Sequence, residues 1–173
     1  MPSALYDHLY SLASQHASGR DLFAIRHSSA IHKWGHAHAL SQHPSLRHEL
    51  TNEGLAAHFK STGSLLISCP GKVHSIMVDE HQRLATIWMS YFLTTIAEEG
   101  KAEAHREVVE NDLIWTLKFS GEPEERLEEI KIVESVEFID PTASGRANEL
   151  LRKAGIEIKA DVVGGLGVVL PST

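Results

Sequence analysis

From residue 71 to residue 140 apolar and polar positions alternate, in runs rich in Val, Ile, Thr, Phe and Trp that Gly, Pro and charge clusters separate. A period of two in such residues predicts strands, and four fit this stretch. The second, residues 82–96, is the most informative. One face carries Ala85, Ile87, Met89, Tyr91 and Leu93; the other carries Leu84, Thr86, Trp88, Ser90 and Phe92. A strand with water on one side is apolar on one face only, so both faces of this one are expected to be covered. At ~3.3 Å per residue it spans roughly 50 Å if straight, too long for a small domain, so it is expected to bend through a bulge. A bent sheet has a concave side. Helices roofing that side would enclose a cavity, the expected working site.

Upstream the period becomes helical. Residues 3–17 place Leu5, Leu9, Leu12 and Ala13 on one stripe behind Ser3 as N-cap. Residues 20–29 predict a second, short helix with Leu22, Phe23 and Ile25 inward, and residues 30–40 a short strand with His32, Trp34, His36 and His38 on one face. Residues 41–51 read as a loop, and 52–61 as a third helix capped by Asn52, with Leu55, Ala56 and Phe59 on one side. Pro70 breaks the connector 64–71, Glu80 and His81 turn the first hairpin, 98–103 is a charged loop, and 121–126 is the last turn. Asp140 caps a final helix that opens with Pro141, where a missing N–H costs nothing, and Gly155 ends it. The order predicts one α+β domain over residues 1–155, its helices on one face of an antiparallel sheet. Residues 156–173 form an apolar tail that adds a strand, covers the pocket mouth or crosses to a second subunit.

The chain of 173 residues is long enough for one proper core. Its 23 acidic and 16 basic residues give a net charge of -7 with no Lys/Arg run, which excludes nucleic acid as the expected partner. Cys69 is alone, so no internal disulfide forms. No apolar run marks a signal peptide and none approaches the ~20 residues of a membrane span, so the cytoplasm is the expected location. The two-sided apolar strand predicts a homodimer. Twelve histidines is a high count, and six lie between His27 and His48.

Four segments carry a resemblance. Arg26-His27-Ser28-Ser29-Ala30-Ile31-His32 resembles an Arg-Ala-Pro-x-Cys-x-His segment, and Val73-His74-Ser75-Ile76-Met77-Val78-Asp79-Glu80 a first-hairpin signature. Asn111-Asp112-Leu113-Ile114-Trp115 resembles an Asn-Glu-Tyr-Val-Trp strand, and Val136-Glu137-Phe138-Ile139-Asp140 a Glu-Glu-Phe-Val-Asp strand end. In this order they are similar to the SnoaL-like proteins of fungal secondary-metabolite clusters, within the nuclear transport factor 2-like superfamily. Ser28-Ser29 departs from the Ala-Pro pair, Asp112 stands where Glu is usual, and the tail is an addition. The resemblance covers residues 5–154 and implies a cone-shaped curved sheet roofed by N-terminal helices. It also implies a cofactor-free isomerase or cyclase acting on a polyketide or meroterpenoid, or a dehydratase on a similar substrate. The fold also hosts non-catalytic binding proteins, so a binding or dimerisation module is the alternative.

Candidate chemistry centres on carboxylates. Glu134 shares a face with Ile130, Ile132, Val136 and Phe138, where lost hydration raises a carboxyl pKa and suits it to proton transfer. Glu137 lies on the opposite face and matches the acidic strand-end position that the resemblance implies. A regular strand turns only one of the two inward. Asn111, with Val109, Leu113, Trp115 and Leu117, poses the same choice against Asp112, with Val108, Glu110 and Ile114. Arg26 is a candidate for a substrate carboxylate or an enolate. By resemblance His32 is the proton shuttle. Trp34, His36, His74, Trp88, Tyr91 and Trp115 are candidate substrate contacts. His36 and His38, two apart with no further ligand pattern, do not make a metal site, and no metal or cofactor is expected.

Overall fold

The computed structural model describes residues 2–42, 44–121 and 126–158. Helix α1 (Ala4–Ser18) begins at Ser3, whose hydroxyl accepts from the Tyr6 N–H, and closes at left-handed Gly19. Strand β1 (Arg26–Trp34) follows, then the short α2 (Ala37–Gln42) and α3 (Asn52–Gly63). Next come β2 (Leu66–Ser68), β3 (Gly71–Asp79), β4 (Leu84–Thr95), β5 (Val109–Phe119), β6 (Ile132–Phe138) and α4 (Pro141–Lys153). No helix among the described residues is long and apolar enough to cross a membrane.

The strands make one curled sheet in the order β1-β6-β5-β4, with β3 and β2 both on the far side of β4. It is mixed, not antiparallel as expected, because β1 runs parallel to β6. Long β4 pairs with β5 without a register shift, and the irregularities lie in its neighbours. One extra residue, His74, separates the two registers of β3 against β4. Another, Val133, separates those of β6 against β5. In β1 the partners jump from Arg26–Ile132 to Ile31–Glu134, so residues 27–30 bulge out. Such extra residues bend a sheet and re-aim the side chains beyond them.

The concave side holds the core. Leu9, Leu12 and Ala13 of α1 and Leu55 of α3 pack on Ala85, Ile87, Met89, Leu113, Trp115 and Leu117. Fully enclosed side chains such as Leu9, Ile87 and Met89 each contribute about 1.5–3 kcal/mol. Ala143, Ala147, Leu150 and Leu151 of α4 close the other end against Leu65, Leu93 and Val109.

Several local expectations are corrected. Residues 20–29 are not a helix: turns lead into β1, where Ile25 O already accepts from Ile132 N. The strand expected over 30–40 stops at Trp34, because His36 takes a left-handed φ of 69°. Thr51, not Asn52, caps α3. Glu98, placed in a charged loop, is 2% exposed, held by Lys101 Nζ and the Glu107 N–H at 2.9 Å. Asp140 caps α4 with Pro141 in its first turn, as expected. Residues 122–125 of the last turn and 159–173 of the tail lie outside the described residues. Gly35 has a packing role: a Cβ there would run into the Phe138 ring.

Candidate active site

Beneath α1 and α3 the inner faces of β4, β5 and β6 enclose a cavity of about 670 Å³. Its rim is apolar and open, with Phe23 and Phe59 39% and 38% exposed and the Cys69 thiol beside Leu66. Its depth is lined by His16, Tyr91, Asn111, Trp115 and Glu137, with His58 on the α3 side. Among the described residues no Lys or Arg lines it.

Glu137 sits in that wall because of the Val133 bulge. Before the bulge Ile130 and Ile132 point inward; after it the buried set is Ser135, Glu137 and Ile139. Glu137 lies opposite Trp115 on β5 and Trp34 on β1. Burial raises its carboxyl from 4.5 to about 8, so it is mostly protonated at neutral pH. Beside it, burial first and the charges of Glu137 and Cys69 second push the Tyr91 hydroxyl up, which keeps it a donor. Asn111 faces Tyr91 across the β4–β5 ladder, and its buried Oδ1 has no partner. Burial, then Glu137, pushes the Cys69 thiol up to about 11, so it is no thiolate nucleophile.

The imidazoles around this wall are neutral. Burial and then the Arg26 charge lower His16 and His32 to about 3, and burial lowers His58 to about 4. Trp115 holds His16 edge-on at 4.6 Å and His32 at 5.5 Å, while Trp34 touches His32 at 4.6 Å and His58 at 5.2 Å. Arg26, His32 and Trp34 do not line the cavity but stand behind it, each 3% exposed or less. Arg26 Nε donates to Asn52 Oδ1 at 2.7 Å and Nη1 to Ser135 Oγ at 2.8 Å. Ser135 Oγ lies 3.1 Å from His32 Nδ1, and His32 Nε2 lies 4.0 Å from Glu137 Oε2. Burial lowers the guanidinium to about 10, still charged at neutral pH. The substrate-anion role expected for Arg26 is corrected: the group reaches no cavity surface.

The other candidates lie elsewhere. Glu134 points away from the cavity and pairs with Lys33 at 2.7 Å, which corrects its expected place in the apolar row. Asp112 is on the outer face of the sheet, accepting from Trp88 Nε1 at 2.7 Å and Ser90 Oγ at 3.3 Å. His74 joins this outer group through Ser90 Oγ at 2.8 Å, and its ring lies 4.6 Å from Trp88. His36 lines an outer groove with Trp88, Asp112, Ile114 and Phe138. So Asp112, His36, His74 and Trp88 share no wall with Glu137. Sequence reasoning missed His16, His58 and Ser135. His16 continues the stripe of Leu9, Leu12 and Ala13, His58 follows Leu55 by three, and Ser135 is two from Glu137; each spacing was legible.

A curled sheet roofed by helices over a deep cavity is the cone-shaped α+β fold of the nuclear transport factor 2-like proteins. PrhC from Penicillium brasilianum NBRC 6234 has this fold at a TM-score of 0.65 and 16% identity, over 87% of this chain and 93% of that one. The BvnE pinacolase from Penicillium brevicompactum matches at 0.66 and 16%, over 87% and 99%. A Jannaschia sp. CCS1 protein assigned as a SnoaL-like polyketide cyclase matches at 0.61 and 8%, over 85% and 95%. No family model matches the sequence, and neither does any curated protein. At these identities the likeness establishes the fold.

Proposed function

We propose that this protein is a cofactor-free isomerase or cyclase that moves a proton on a polyketide or meroterpenoid intermediate of secondary metabolism, with Glu137 as the acid–base group. One observation carries this reading: a buried carboxyl, 6% exposed, lies in the wall of a largely apolar cavity, where lost hydration raises its pKa. A group with a pKa near 8 both donates and accepts protons near neutral pH. Glu137 gives its proton to a substrate oxygen, which Tyr91 and the Asn111 amide hold by donating hydrogen bonds. As a carboxylate it then takes a proton from the adjacent carbon, so the proton count closes with no co-reactant. The likeness to a pinacolase and to a protein assigned as a polyketide cyclase supports this class.

The lining narrows the substrate. A buried anion needs a partner, and the cavity offers no Lys or Arg among the described residues. The substrate is therefore an uncharged amphiphile, a ketone, lactone or ester, with its apolar body against Phe23, Phe59 and Leu66. The outer face carries Trp88, Ile114 and Phe138 at 46%, 42% and 37% exposure, joined by cross-strand pairing. Our reading covers that patch with a second copy of the chain.

The test is hydrogen–deuterium exchange at carbon, followed by NMR in heavy water with neutral aromatic β-keto esters and their matched free acids. The esters are expected to bind and exchange, with the rate unchanged by chelator and lost in Glu137→Gln. Esters that bind without exchange would turn the reading to a binding module. Complete loss of exchange on chelation would reject the cofactor-free assignment.

A further inference from the structure

Behind the cavity wall a guanidinium, a hydroxyl and an imidazole stand in line, and none of them reaches substrate space. Arg26 Nη1 meets Ser135 Oγ at 2.8 Å, and Ser135 Oγ meets His32 Nδ1 at 3.1 Å. Ser135 and His32 are each 0% exposed, so bulk water does not reach them. Arg26 makes no carboxylate ion pair among the described residues, and its Nη2 has no partner. A buried guanidinium whose bonds go to the Asn52 amide and a serine hydroxyl rather than to a carboxylate calls for a reason.

The line has a direction. An arginine only donates, so Ser135 Oγ must accept from it. The serine hydrogen is then left to point at His32 Nδ1, the neighbouring acceptor. In either tautomer one buried hydrogen lacks a partner at rest, the serine's if Nδ1 carries the ring hydrogen and the ring's own if Nε2 does. Only the second has an acceptor in prospect, Glu137 Oε2 at 4.0 Å, so the first is the costlier arrangement. His32 stays neutral beside Arg26, so one ring nitrogen bears hydrogen and the other does not. The hydrogen therefore sits on Nε2, which has no partner at rest and faces Glu137 Oε2 from 4.0 Å.

We propose that Ser135 is a positioning residue that, under Arg26, locks His32 as the Nε2–H tautomer, so that the Glu137 carboxylate meets a fixed N–H donor once its proton has gone to substrate. The proposal rests on the role assigned to Glu137 above. Closing the gap by about 1 Å makes a hydrogen bond of ordinary length. No proton leaves His32; the donor favours the charged form of Glu137 and so moderates the rise that burial imposes. The titratable groups facing Glu137 are Tyr91 on β4, Cys69 ahead of β3 and His32 on β1; Arg26, His16 and His58 face His32. All but Arg26 are neutral at pH 7, so a shift in Glu137 titration reports the donor rather than a new charge.

Two NMR measurements on the full chain test this without a substrate. Long-range ¹H–¹⁵N spectra of ¹⁵N-histidine protein, with His32 assigned from the spectrum of His32→Gln, read the tautomer directly. A bare Nδ1 with hydrogen on Nε2 is expected, and hydrogen on Nδ1 in the wild-type protein would overturn the proposal. Titration of the ¹³C-labelled Glu137 carboxyl then compares wild type with Ser135→Ala and Ser135→Thr. The alanine variant is expected to populate both tautomers and raise the Glu137 midpoint by about half a pH unit or more, with threonine restoring both. A folded alanine variant that changes neither also overturns it. If the alanine variant does not fold, the wild-type tautomer still decides. A wild-type Glu137 midpoint near 4.5 would instead reject the acid–base reading and leave the tautomer question standing.

Discussion

The two faces of one sheet hold the same kinds of residue and treat them oppositely. On the inner face, Glu137 and Trp115 meet His16 of α1 in a wall that has no Lys or Arg among the described residues. On the outer face, one residue beyond Asn111 along β5, Asp112 is exposed and accepts from Trp88 and Ser90, with His74 beside it. Inside, lost hydration makes the acid neutral and the histidines neutral. Outside, water and hydroxyl or indole donors satisfy the carboxylate. An acid, a histidine and a tryptophan in proximity therefore do not define a site; the dielectric around them does.

The largest test of that contrast is a pair of variants. Glu137→Ala is expected to lower the exchange rate by about 10²–10⁴-fold, the usual worth of a positioned acid–base group, and Asp112→Asn by less than about threefold. Equal losses would erase the distinction between the faces.

Stability against pH sharpens it next. Glu137 has a folded value of about 8 against 4.5 unfolded, so its contribution is complete below about 4.5 and is lost as pH rises towards 8. His16, His32 and His58 run the other way: their folded values of about 3, 3 and 4 lie below 6.5, so their contribution is complete above 6.5 and lost as pH falls. Three histidine slopes outweigh one carboxyl slope below 6.5, which puts the maximum near that pH. From there to pH 8 the loss from Glu137, about 1.6 kcal/mol, exceeds the last gain from the three histidines, about 1.2 kcal/mol, so stability in urea melts is expected to fall by about 0.5 kcal/mol, and Glu137→Gln is expected to turn this fall into a rise. An alkaline limb unchanged in that variant would place the neutral acid elsewhere.

Outside, Trp88→Asp puts a charge into the apolar patch. Light scattering at micromolar concentration is expected to show a dimer for wild type and a monomer for this variant, with ester binding kept. A wild-type monomer would leave the patch without a second copy. The smallest effect is expected at the seam between the faces. Gly35→Ala pushes on the Phe138 ring and should cost about 1–3 kcal/mol in urea melts, with Glu137 titration unmoved.

Much of this was legible in local order. The alternation in β4 and β5 correctly divides Tyr91 and Asn111 from Trp88 and Asp112, because side chains of a regular strand pair alternate faces by geometry alone. Ser3 and Asp140 mark helix starts because a cap is a bond within three residues. The choice between Glu134 and Glu137 was not legible, since it turns on Val133, an extra residue defined only by what β5 places opposite. The parallel pairing of β1 with β6, and with it the meeting of Arg26, Ser135 and His32, joins segments about a hundred residues apart. So the sequence by itself determined which residues could share a face, through periodicities of two and 3.6 that act over a few residues. Tertiary structure decided which face looks inward beyond each bulge and which ionisable groups lose their water, because register and desolvation come from contacts between distant parts of the chain.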